Sequence, residues 1–412
     1  MLDGEPPKRF PNRELLLDVF LGSRDSTKTP AVPGADGVTA DQFRAKLQQN
    51  IDRLYTDLRH RRFHFSKLRP IPIPKLNGQF RVICVPTVKD RLVQRSIIDW
   101  LVARGKFPAG GSTFWIRERG VQLALRKALE LRRENEWCVK TDIERFFDNI
   151  KREPLKRLVR TKLRKTSVLP LVLSAIDSEA TLPRGSRIAT IAADSGLLPG
   201  RGIRQGMPLS PLLANISLSK FDARCQARGV NFIRYADDII AFFKTESDAR
   251  IGFDFIRTEL TKLELSIPDM GAPKSMRVPP KQPVTFLGQE LVYRDGVRDY
   301  VRRIGSAKAA AIRTEIKTEF ALAKLIGDEN ISSAVEGLTA SVKSYLGAYQ
   351  GADDYAHFEG EMRALLRSTV RGWLKDIFGN EVIARLSPSH QRFLGIPLEP
   401  DVAAAGDIEI AN

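Results

Sequence analysis

The sequence predicts an α+β fold in which an antiparallel sheet packs on helices and an α-helical region follows. Three patterns support this prediction. Within residues 230–244, β-branched and aromatic runs flank a short polar break, which is typical of a buried hairpin. Residues 137–143 form a second strand-like run. From residue 305 onward, apolar residues recur at intervals of three and four, as they do in packed helices.

Composition narrows the class of protein. The 412 residues carry a net charge of +17, which favours a polyanionic partner such as nucleic acid, although a membrane surface or simple solubility would also fit. We expect no membrane span, because no apolar run reaches about eighteen residues. Three scattered cysteines and an N-terminus without a secretory signal favour a cytoplasmic location.

The polar break at residues 235–238, Tyr-Ala-Asp-Asp, is the main candidate site. Two adjacent carboxylates between apolar strands are costly to bury unless a cation neutralises them. A plain turn would also explain the break, because Asp is common in turns. A metal site further predicts a third carboxylate at another strand end, and Asp142 supplies it. We therefore expect a divalent-metal site formed by Asp142, Asp237 and Asp238.

Two basic segments are candidates for contact with a nucleic-acid backbone. Residues 59–69 contain no acid and interleave cations with Phe63 and Phe65, although a solvated strand edge has the same pattern. A helix predicted near Pro154 is apolar on one side and basic on the other, which also fits a solvated face. The candidate nucleic-acid-binding residues are Arg59, Arg61, Arg62, Lys67, Arg69, Arg157, Arg160 and Lys162.

Further elements follow from the same patterns. Apolar residues predict one helix over residues 43–58, and residues 71–86 predict a hairpin that turns at Asn77-Gly78. Residues 248–265 predict a helix with Ile251 among its inward residues. The tripeptide Ala-Asp-Asp recurs at residues 352–354, but between predicted helices, where Asp is expected to cap a helix.

Taken in order, these motifs resemble the bacterial group II intron-like reverse transcriptase family. The resemblance covers roughly residues 34–380 and includes an Asp-Gly-Val element at 36–38 and the segment from Gln205-Gly206 to Asn215 that precedes the Tyr-Ala-Asp-Asp hairpin. One departure is Arg204, where many members have Pro. A second is residues 110–120, which match the family's corresponding element only loosely.

The resemblance implies a right-hand polymerase with fingers, a palm and a helical thumb. Its implied boundaries are an N-terminal extension and fingers over 1–135, a palm over 136–304 with a fingers insertion around 155–205, a thumb over 305–385 and a tail over 386–412. The implied activity is RNA-directed DNA synthesis, in which two Mg²⁺ ions, replaceable by Mn²⁺, assist the addition of dNTPs to a 3′-hydroxyl. The resemblance implies that the aspartate site is a catalytic magnesium site, with the backbone carbonyl of Ile143 as a further ligand.

The resemblance also assigns roles to individual residues. Lys75 and Arg81 would clamp the triphosphate, and Lys274 would lie near the leaving pyrophosphate as a general acid. Phe147 would exclude a 2′-hydroxyl, although Phe146 and Phe147 together also fit a core pair. Gln205 and Gly206 would shape the nucleotide pocket. The implied primer grip consists of Phe286, Leu287 and Gly288.

The expected partners are a structured RNA template or non-coding RNA, a DNA product and dNTPs, with no membrane and with homo-oligomerisation left open. Because the chain ends without the Cys/His-containing endonuclease of many intron-encoded relatives, we expect a stand-alone bacterial enzyme, with antiviral defence as its role. Three alternatives remain: a template-independent or protein-primed DNA polymerase, an intron-encoded reverse transcriptase/maturase, and a non-catalytic RNA-binding scaffold.

Overall fold

The computed structural model describes residues 10–26, 32–74, 78–105, 120–326 and 330–381, together with residues 385, 387, 389 and 390. Its described part combines helices with antiparallel sheets, which confirms the predicted α+β class. The chain divides into two compact units. The first comprises residues 1–120 and 137–277, and the second comprises residues 121–136 and 278–412.

The helices and strands are as follows in chain order: α1 Arg13–Leu21, α2 Ala40–Ala45, α3 Leu47–Arg59, β1 Arg69–Pro74, β2 Phe80–Val85, α4 Val88–Val102, α5 Val121–Glu134, β3 Trp137–Asp142, α6 Phe146–Asn149, α7 Arg152–Lys162, α8 Leu169–Ile176, α9 Arg187–Asp194, α10 Ser210–Ala227, β4 Asn231–Tyr235, β5 Asp238–Phe243, α11 Glu246–Thr261, β6 Met276–Val278, β7 Val284–Phe286, β8 Gln289–Arg294, β9 Asp299–Arg303, α12 Ser306–Glu319, α13 Leu322–Leu325, α14 Ile331–Tyr349 and α15 Tyr355–Phe378.

A four-stranded sheet forms the centre of the first unit. Its strand order is β4-β5-β3-β6, and β5 pairs antiparallel with both β4 and β3. The strands are largely apolar because helices cover the sheet. For example, α11 packs against β3 and β5, and Phe232 of β4 meets Phe221 of α10 edge to face. The sheet therefore provides a rigid base on which strand-end side chains can be held.

The predicted hairpin at residues 71–86 is present as the antiparallel pair β1 and β2, with Arg69 opposite Val85 and Pro74 opposite Phe80. Three prolines occupy alternate positions of β1, which a two-stranded ribbon tolerates because one edge of each strand has no partner. Asn77, half of the predicted turn, lies outside the described residues, as does most of the segment 110–120.

Two helix predictions need correction. The predicted helix over residues 43–58 is two helices, α2 and α3, separated at Lys46, and α2 begins with a capping box at Thr39. Helix α11 begins earlier and ends earlier than predicted, and Ile251 is 48% exposed. Ile256 and Leu260 are buried as predicted, but Ala249 and Phe253, rather than Ile251, complete the buried stripe, so the helix is rotated slightly relative to the predicted face.

The second unit has a separate apolar core. Antiparallel strands β7, β8 and β9 form a three-stranded sheet, and α12, α14 and α15 pack around Ile316, Leu338 and Met362. The indole N–H of Trp373 donates to the carbonyl of Phe320 at 2.9 Å, which joins α15 to the end of α12. The helical region predicted after residue 305 is thus present. None of the described helices is long and apolar enough to span a bilayer.

Candidate active site

The register of the central sheet brings the predicted carboxylates together. Asp142, the last residue of β3, lies directly opposite Asp238, the first residue of β5. Directly opposed residues in an antiparallel pair have Cβ atoms about 4.5–5.5 Å apart. The amide of Ile143 donates to the carbonyl of Asp237 at 3.0 Å, which fixes the β4–β5 turn beside the end of β3. Residues separated by almost a hundred positions in the chain therefore share one site.

The turn that carries Asp237 is short and strained. Tyr235 pairs with Asp238, so only Ala236 and Asp237 connect the strands. Ala236 has a φ of 55°, in the left-handed region that costs a non-glycine residue about 1–2 kcal/mol. Arg234 helps to offset this cost, because its guanidinium donates to the Ala236 carbonyl at 2.9 Å.

Arg234 is a supporting residue that the sequence patterns did not reveal. Its side chain is fully buried and forms a two-pronged ion pair with Asp222 at 2.8 and 2.6 Å. It also donates to the side-chain oxygen of Asn215 at 3.0 Å. Asn215 belongs to the segment that follows Gln205-Gly206, so this arginine connects two family motifs. The available signal was one cation inside an apolar strand, which requires a partner when buried.

The carboxylates at the strand ends repel one another. Burial, and then the neighbouring charge of Asp142, raise the pKa of Asp237 to about 6. Two lysines offset part of this charge: Lys274 forms an ion pair with Asp142, and the ammonium of Lys140 lies 3.9 Å from Asp238 Oδ1. The hydrogen bond with Asp142 raises the pKa of Lys274. The crowded carboxylates thus give the site the negative charge that a bound cation would neutralise, and two lysines neutralise part of it.

The donor set suits magnesium in chemistry but does not form a closed coordination shell. Three aspartates and the carbonyl of Ile143 are oxygen ligands of the type that Mg²⁺ prefers. Yet in the part of the chain that the structure describes, no three His, Cys, Asp or Glu side chains converge closely enough to hold one ion. The fit therefore rests on the carboxylates and their mutual repulsion, and the individual metal ligands stay a prediction.

A cleft of about 840 Å³ opens beside the carboxylates. Its lining includes residues predicted to bind metal or nucleotide: Arg81, Asp142, Ile143, Phe147, Gln205, Asp237 and Lys274. Gly206 instead lines a second cavity of about 520 Å³, which Gln205 and Phe147 also border. Lys75 lies outside the described residues. The structure thus brings most of the predicted nucleotide-binding set to one cavity, while their roles stay predictions.

The adjacent phenylalanines separate into a core residue and a cleft residue. Phe146 is only 2% exposed and belongs to the main apolar core, whereas Phe147 is partly exposed and lines the cleft. Their ring centroids are 5.5 Å apart. Phe147 therefore packs against the core on one side and borders the cleft on the other, and its contact with a sugar stays a prediction.

The segment containing Gln205 and Gly206 lies tightly against β2. The amide of Cys84 donates to the carbonyl of Gln205 at 2.7 Å. Gly206 has a φ of 105°, and a Cβ added there would come within 2.7 Å of the Cys84 carbonyl oxygen and of the Ile83 side chain. Only glycine therefore permits this approach between the loop and the hairpin strand.

Arg204 anchors this loop, where Pro is common in the resembled family. The Arg204 side chain is 1% exposed, forms an ion pair with Glu179 and donates to the Leu198 carbonyl at 2.7 Å. Arg152 reaches the same carboxylate at 2.7 Å and donates to the Gly202 carbonyl at 2.8 Å.

Glu179 is held in its charged form at the centre of this cluster. Burial would raise its pKa, but the Gly200 amide, Arg204 and Arg152 together hold the pKa below its usual value. Ion pairing thus fixes the loop in place of a proline ring. Glu179 lies in a stretch whose sequence showed no clear pattern, so sequence reasoning missed it.

The predicted nucleic-acid-binding residues lie on the surface of the first unit. All eight side chains are exposed, and Arg157, Arg160 and Lys162 lie on the outward face of α7. Phe63 and Phe65 pack edge to face with centroids 5.1 Å apart and contact the main core, so they are partly withdrawn from solvent. Contact of this surface with nucleic acid stays a prediction.

The predicted primer grip lies in the second unit. Phe286 is buried at the end of β7, and Leu287 and Gly288 form a tight turn into β8 with φ values of 48° and 80°. A Cβ at Gly288 would lie 3.2 Å from the Tyr349 hydroxyl, so this turn packs closely on α14. Its role in primer binding stays a prediction.

The antiparallel sheet presents aspartates at adjacent strand ends, beside a cleft containing Arg81 and Lys274, an arrangement that fits the palm of a right-hand nucleic-acid polymerase. Comparison with known families agrees with this class. Residues 73–291, more than half of the chain, match the family model described as reverse transcriptase (RNA-dependent DNA polymerase). The chain therefore belongs to the reverse transcriptase family, as its motifs predicted.

Several curated proteins are similar to this chain. YkfC from Escherichia coli K12 is 28% identical over 205 residues, which are 48% of this chain and 51% of YkfC. An uncharacterized 91 kDa protein in the cob intron of Schizosaccharomyces pombe is 26% identical, over 52% of this chain and 27% of that protein. A putative COX1/OXI3 intron 2 protein from Saccharomyces cerevisiae is 23% identical, over 50% of this chain and 23% of that protein.

The chain thus spans about half the length of YkfC and about a quarter of each intron protein. Among solved structures, apo telomerase from Candida tropicalis is similar with a TM-score of 0.42 and 14% identity, over 78% of this chain and 69% of the telomerase chain.

Proposed function

We propose that this protein is an RNA-directed DNA polymerase that adds dNTPs to a 3′-hydroxyl by two-metal phosphoryl transfer. The observation that carries the proposal is the register that places Asp142 opposite Asp238, with the Asp237 turn beside them. Membership of the reverse transcriptase family supports the same reaction. Little covalent work falls to the protein in such a reaction, so positioning and charge provide most of the catalysis.

Asp142, Asp237 and Asp238, with the carbonyl of Ile143, would hold two Mg²⁺ or Mn²⁺ ions. When bound, these ions stabilise negative charge on the attacking and leaving oxygens. In this proposal the raised pKa of Asp237 reflects the unneutralised state, because a nearby cation favours the charged carboxylate.

The other residues of the cleft would bind and orient the nucleotide. Arg81, together with Lys75, would neutralise the triphosphate. Lys274, already paired with Asp142, would move to the leaving pyrophosphate and protonate it. Phe147 would pack against the sugar and exclude a 2′-hydroxyl, and Gln205 and Gly206 would shape the pocket around the base pair.

The nucleic-acid partner would contact the basic surfaces of the first unit. The net charge of +17 and the exposed cations of residues 59–69 and α7 support an RNA partner. Residues 286–288 would grip the primer. We further propose a dedicated structured RNA and a role in bacterial antiviral defence in the cytoplasm, with homo-oligomerisation left open.

The similarity to two intron proteins favours a second candidate, an intron-encoded reverse transcriptase/maturase. Sequencing the RNA that co-purifies with the protein separates the two roles. Enrichment of one non-coding RNA outside any intron supports the first proposal, and enrichment of intron RNA supports the second. If no RNA is enriched, both dedicated-RNA proposals fail.

The activity itself is tested by primer extension with purified protein. Extension of a DNA primer should require an RNA template, dNTPs and Mg²⁺, and Asp142→Asn should abolish it. A matched control, Asp299→Asn, changes a carboxylate on β9 of the second unit and should leave extension intact. Long products without template would favour a template-independent or protein-primed polymerase. Full cellular function of an extension-negative Asp142→Asn variant would instead favour a non-catalytic RNA-binding scaffold.

A further inference from the structure

Arg145 is a residue of the cleft to which the proposed mechanism assigns no role. It lies between Asp142 and Phe147 in the chain and lines the same cavity as both. Its backbone is left-handed, with φ 46° and ψ 44°, a conformation rare for arginine. Strained backbone at non-glycine residues concentrates in functional sites, so the side chain at this position warrants an explanation.

Backbone hydrogen bonds hold Arg145 in place without involving its side chain. The Arg145 carbonyl accepts from the amides of Asp148 and Asn149, both at 3.0 Å, and the preceding amide of Glu144 donates to Ser266 at 2.9 Å. These bonds hold Arg145 at the N-cap position of α6, where its backbone is left-handed. Glycine or asparagine would adopt that conformation more easily than arginine. Compared with glycine or asparagine, arginine therefore contributes a positively charged side chain rather than an easier backbone conformation.

The Arg145 guanidinium lies along the wall of the cleft and packs over Gly196. A Cβ added to Gly196 would come within 3.2 Å of Arg145 Nη1, so this glycine leaves space for the guanidinium. Within the described part of the chain, Arg145 has no carboxylate partner. Neighbouring arginines are different, since Arg152 and Arg204 pair with Glu179.

An arginine without a carboxylate partner beside a polar cleft is suited to an anionic ligand. Its planar fork matches the oxygens of phosphate groups. We propose that Arg145 is a polyphosphate-binding residue that contacts the triphosphate of the incoming nucleotide or the pyrophosphate that leaves. This inference rests on the proposed polymerase function, since a nucleotide is then the phosphate ligand that enters this cleft.

The test compares three variants that treat backbone and charge differently. Arg145→Asn and Arg145→Gly remove the guanidinium but suit the left-handed backbone, whereas Arg145→Lys keeps a positive charge. The matched control is Arg250→Asn, an exposed arginine on α11. Three quantities are measured for each protein: the KM and the kcat for single-dNTP incorporation, and the affinity for inorganic tripolyphosphate with Mg²⁺ by calorimetry.

Arg145→Asn and Arg145→Gly should raise the KM and weaken tripolyphosphate binding about ten- to hundredfold, the range expected for a lost charged hydrogen bond. Their Tm should equal or exceed that of the wild type, and Arg145→Lys should recover part of the affinity. Weaker inhibition by pyrophosphate identifies the product as a ligand as well, whereas unchanged inhibition restricts the contact to the triphosphate.

Wild-type KM and tripolyphosphate affinity in both Arg145→Asn and Arg145→Gly would overturn the proposal. A raised KM with a lowered Tm and no recovery in Arg145→Lys would also overturn it, because the residue would then be structural. Failure of the polymerase proposal is recognised separately, as absence of primer extension by the wild type. Tripolyphosphate binding still decides the role of Arg145 in that case.

Discussion

The chain contains the tripeptide Ala-Asp-Asp twice, and its two copies have opposite environments. At residues 236–238 the carboxylates lie at strand ends and face Asp142, so negative charges accumulate. At residues 352–354 each carboxylate is compensated. Asp353 pairs with Arg294 at 2.5 Å, and Asp354 accepts the amide of Ile304 at 2.9 Å. Identical residues therefore form a candidate ion-binding site in one place and a structural junction in the other.

The difference arises from the partners that the fold supplies. Asp354 occupies the N-cap position just before α15 but makes no side-chain capping bond to that helix, so the prediction of a simple cap is wrong for this residue. Its carboxylate instead ties the end of β9 to the start of α15. The same short motif thus becomes a candidate site where buried carboxylates crowd together and the pKa of Asp237 is raised, and a structural contact where each carboxylate has its own partner. Four predictions test this contrast.

The largest expected effect is on catalysis. Asp237→Asn should reduce RNA-templated DNA synthesis by about 10³-fold or more, because it removes a proposed metal ligand, and such a loss raises the barrier by several kcal/mol. Asp353→Asn should leave the rate within about twofold, since Asp353 takes no part in the chemistry. Single-turnover primer extension measures both. Comparable losses in the two variants would contradict the contrast.

The arginines that pair with acids near the two copies, Arg234 and Arg294, should contribute differently to the free energy of unfolding. Arg234→Met breaks the buried pair with Asp222 and should lower the free energy of unfolding by about 3–5 kcal/mol. Arg294→Met removes a half-exposed pair with Asp353 and should cost at most about 1 kcal/mol. Urea unfolding monitored by circular dichroism provides the comparison. Equal losses would show that burial does not distinguish the two sites.

The pH dependence of stability should separate the sites in metal-free buffer. The folded-state pKa of Asp237 is about 6, above its ordinary value of 3.8, so the folded protein binds the proton more tightly than the unfolded chain. Protonation of Asp237 therefore stabilises the folded protein fully below about pH 4, and this stabilisation is lost as the pH rises through about 6.

Thermal melts with EDTA across this range should therefore show wild type losing stability relative to Asp237→Asn. Asp353→Asn should parallel the wild type. Added Mg²⁺ should restore wild-type stability near pH 8 and leave Asp237→Asn with a smaller response. If the difference in Tm between the wild type and Asp237→Asn stayed constant from pH 4 to pH 7, the raised pKa of Asp237 would be contradicted.

The smallest expected effect concerns the two alanines. Ala236→Gly should stabilise the protein by about 0.5–1 kcal/mol, because relief of left-handed strain exceeds the entropic cost of glycine. Ala352 has a buried side chain, so Ala352→Gly should destabilise by a similar amount. Opposite signs in equilibrium unfolding would confirm that the backbone, as well as the charge, differs between the copies.

The carboxylate site could be predicted because its signals are local. Strand patterning placed Asp142 and Asp238 at strand ends, and antiparallel pairing then allowed them to meet. The supporting contacts could not be predicted in this way. Arg234 of β4 pairs with Asp222 of α10. Arg152 and Arg204 both pair with Glu179, which follows α8.

These pairings depend on how distant segments pack, which periodicity does not encode. The same limit explains Ile251. The helical period correctly predicted that residues near 251 form a helix, but α11 carries apolar residues on more than one face. Packing against Phe243 decides which face is buried, since Gly252 leaves space for that ring. The composition of a helix does not determine this rotation by itself.

Because only two residues connect β4 and β5, the length of this turn, as well as its composition, helps to set which residue of β5 lies opposite Asp142. Because side chains alternate between the faces of a strand, shifting β5 by one position against β3 would carry Asp238 to the opposite side of the sheet and put Ile239 across from Asp142. An inserted residue that shifted this register would therefore separate Asp142 from Asp238 while both were still present in the chain.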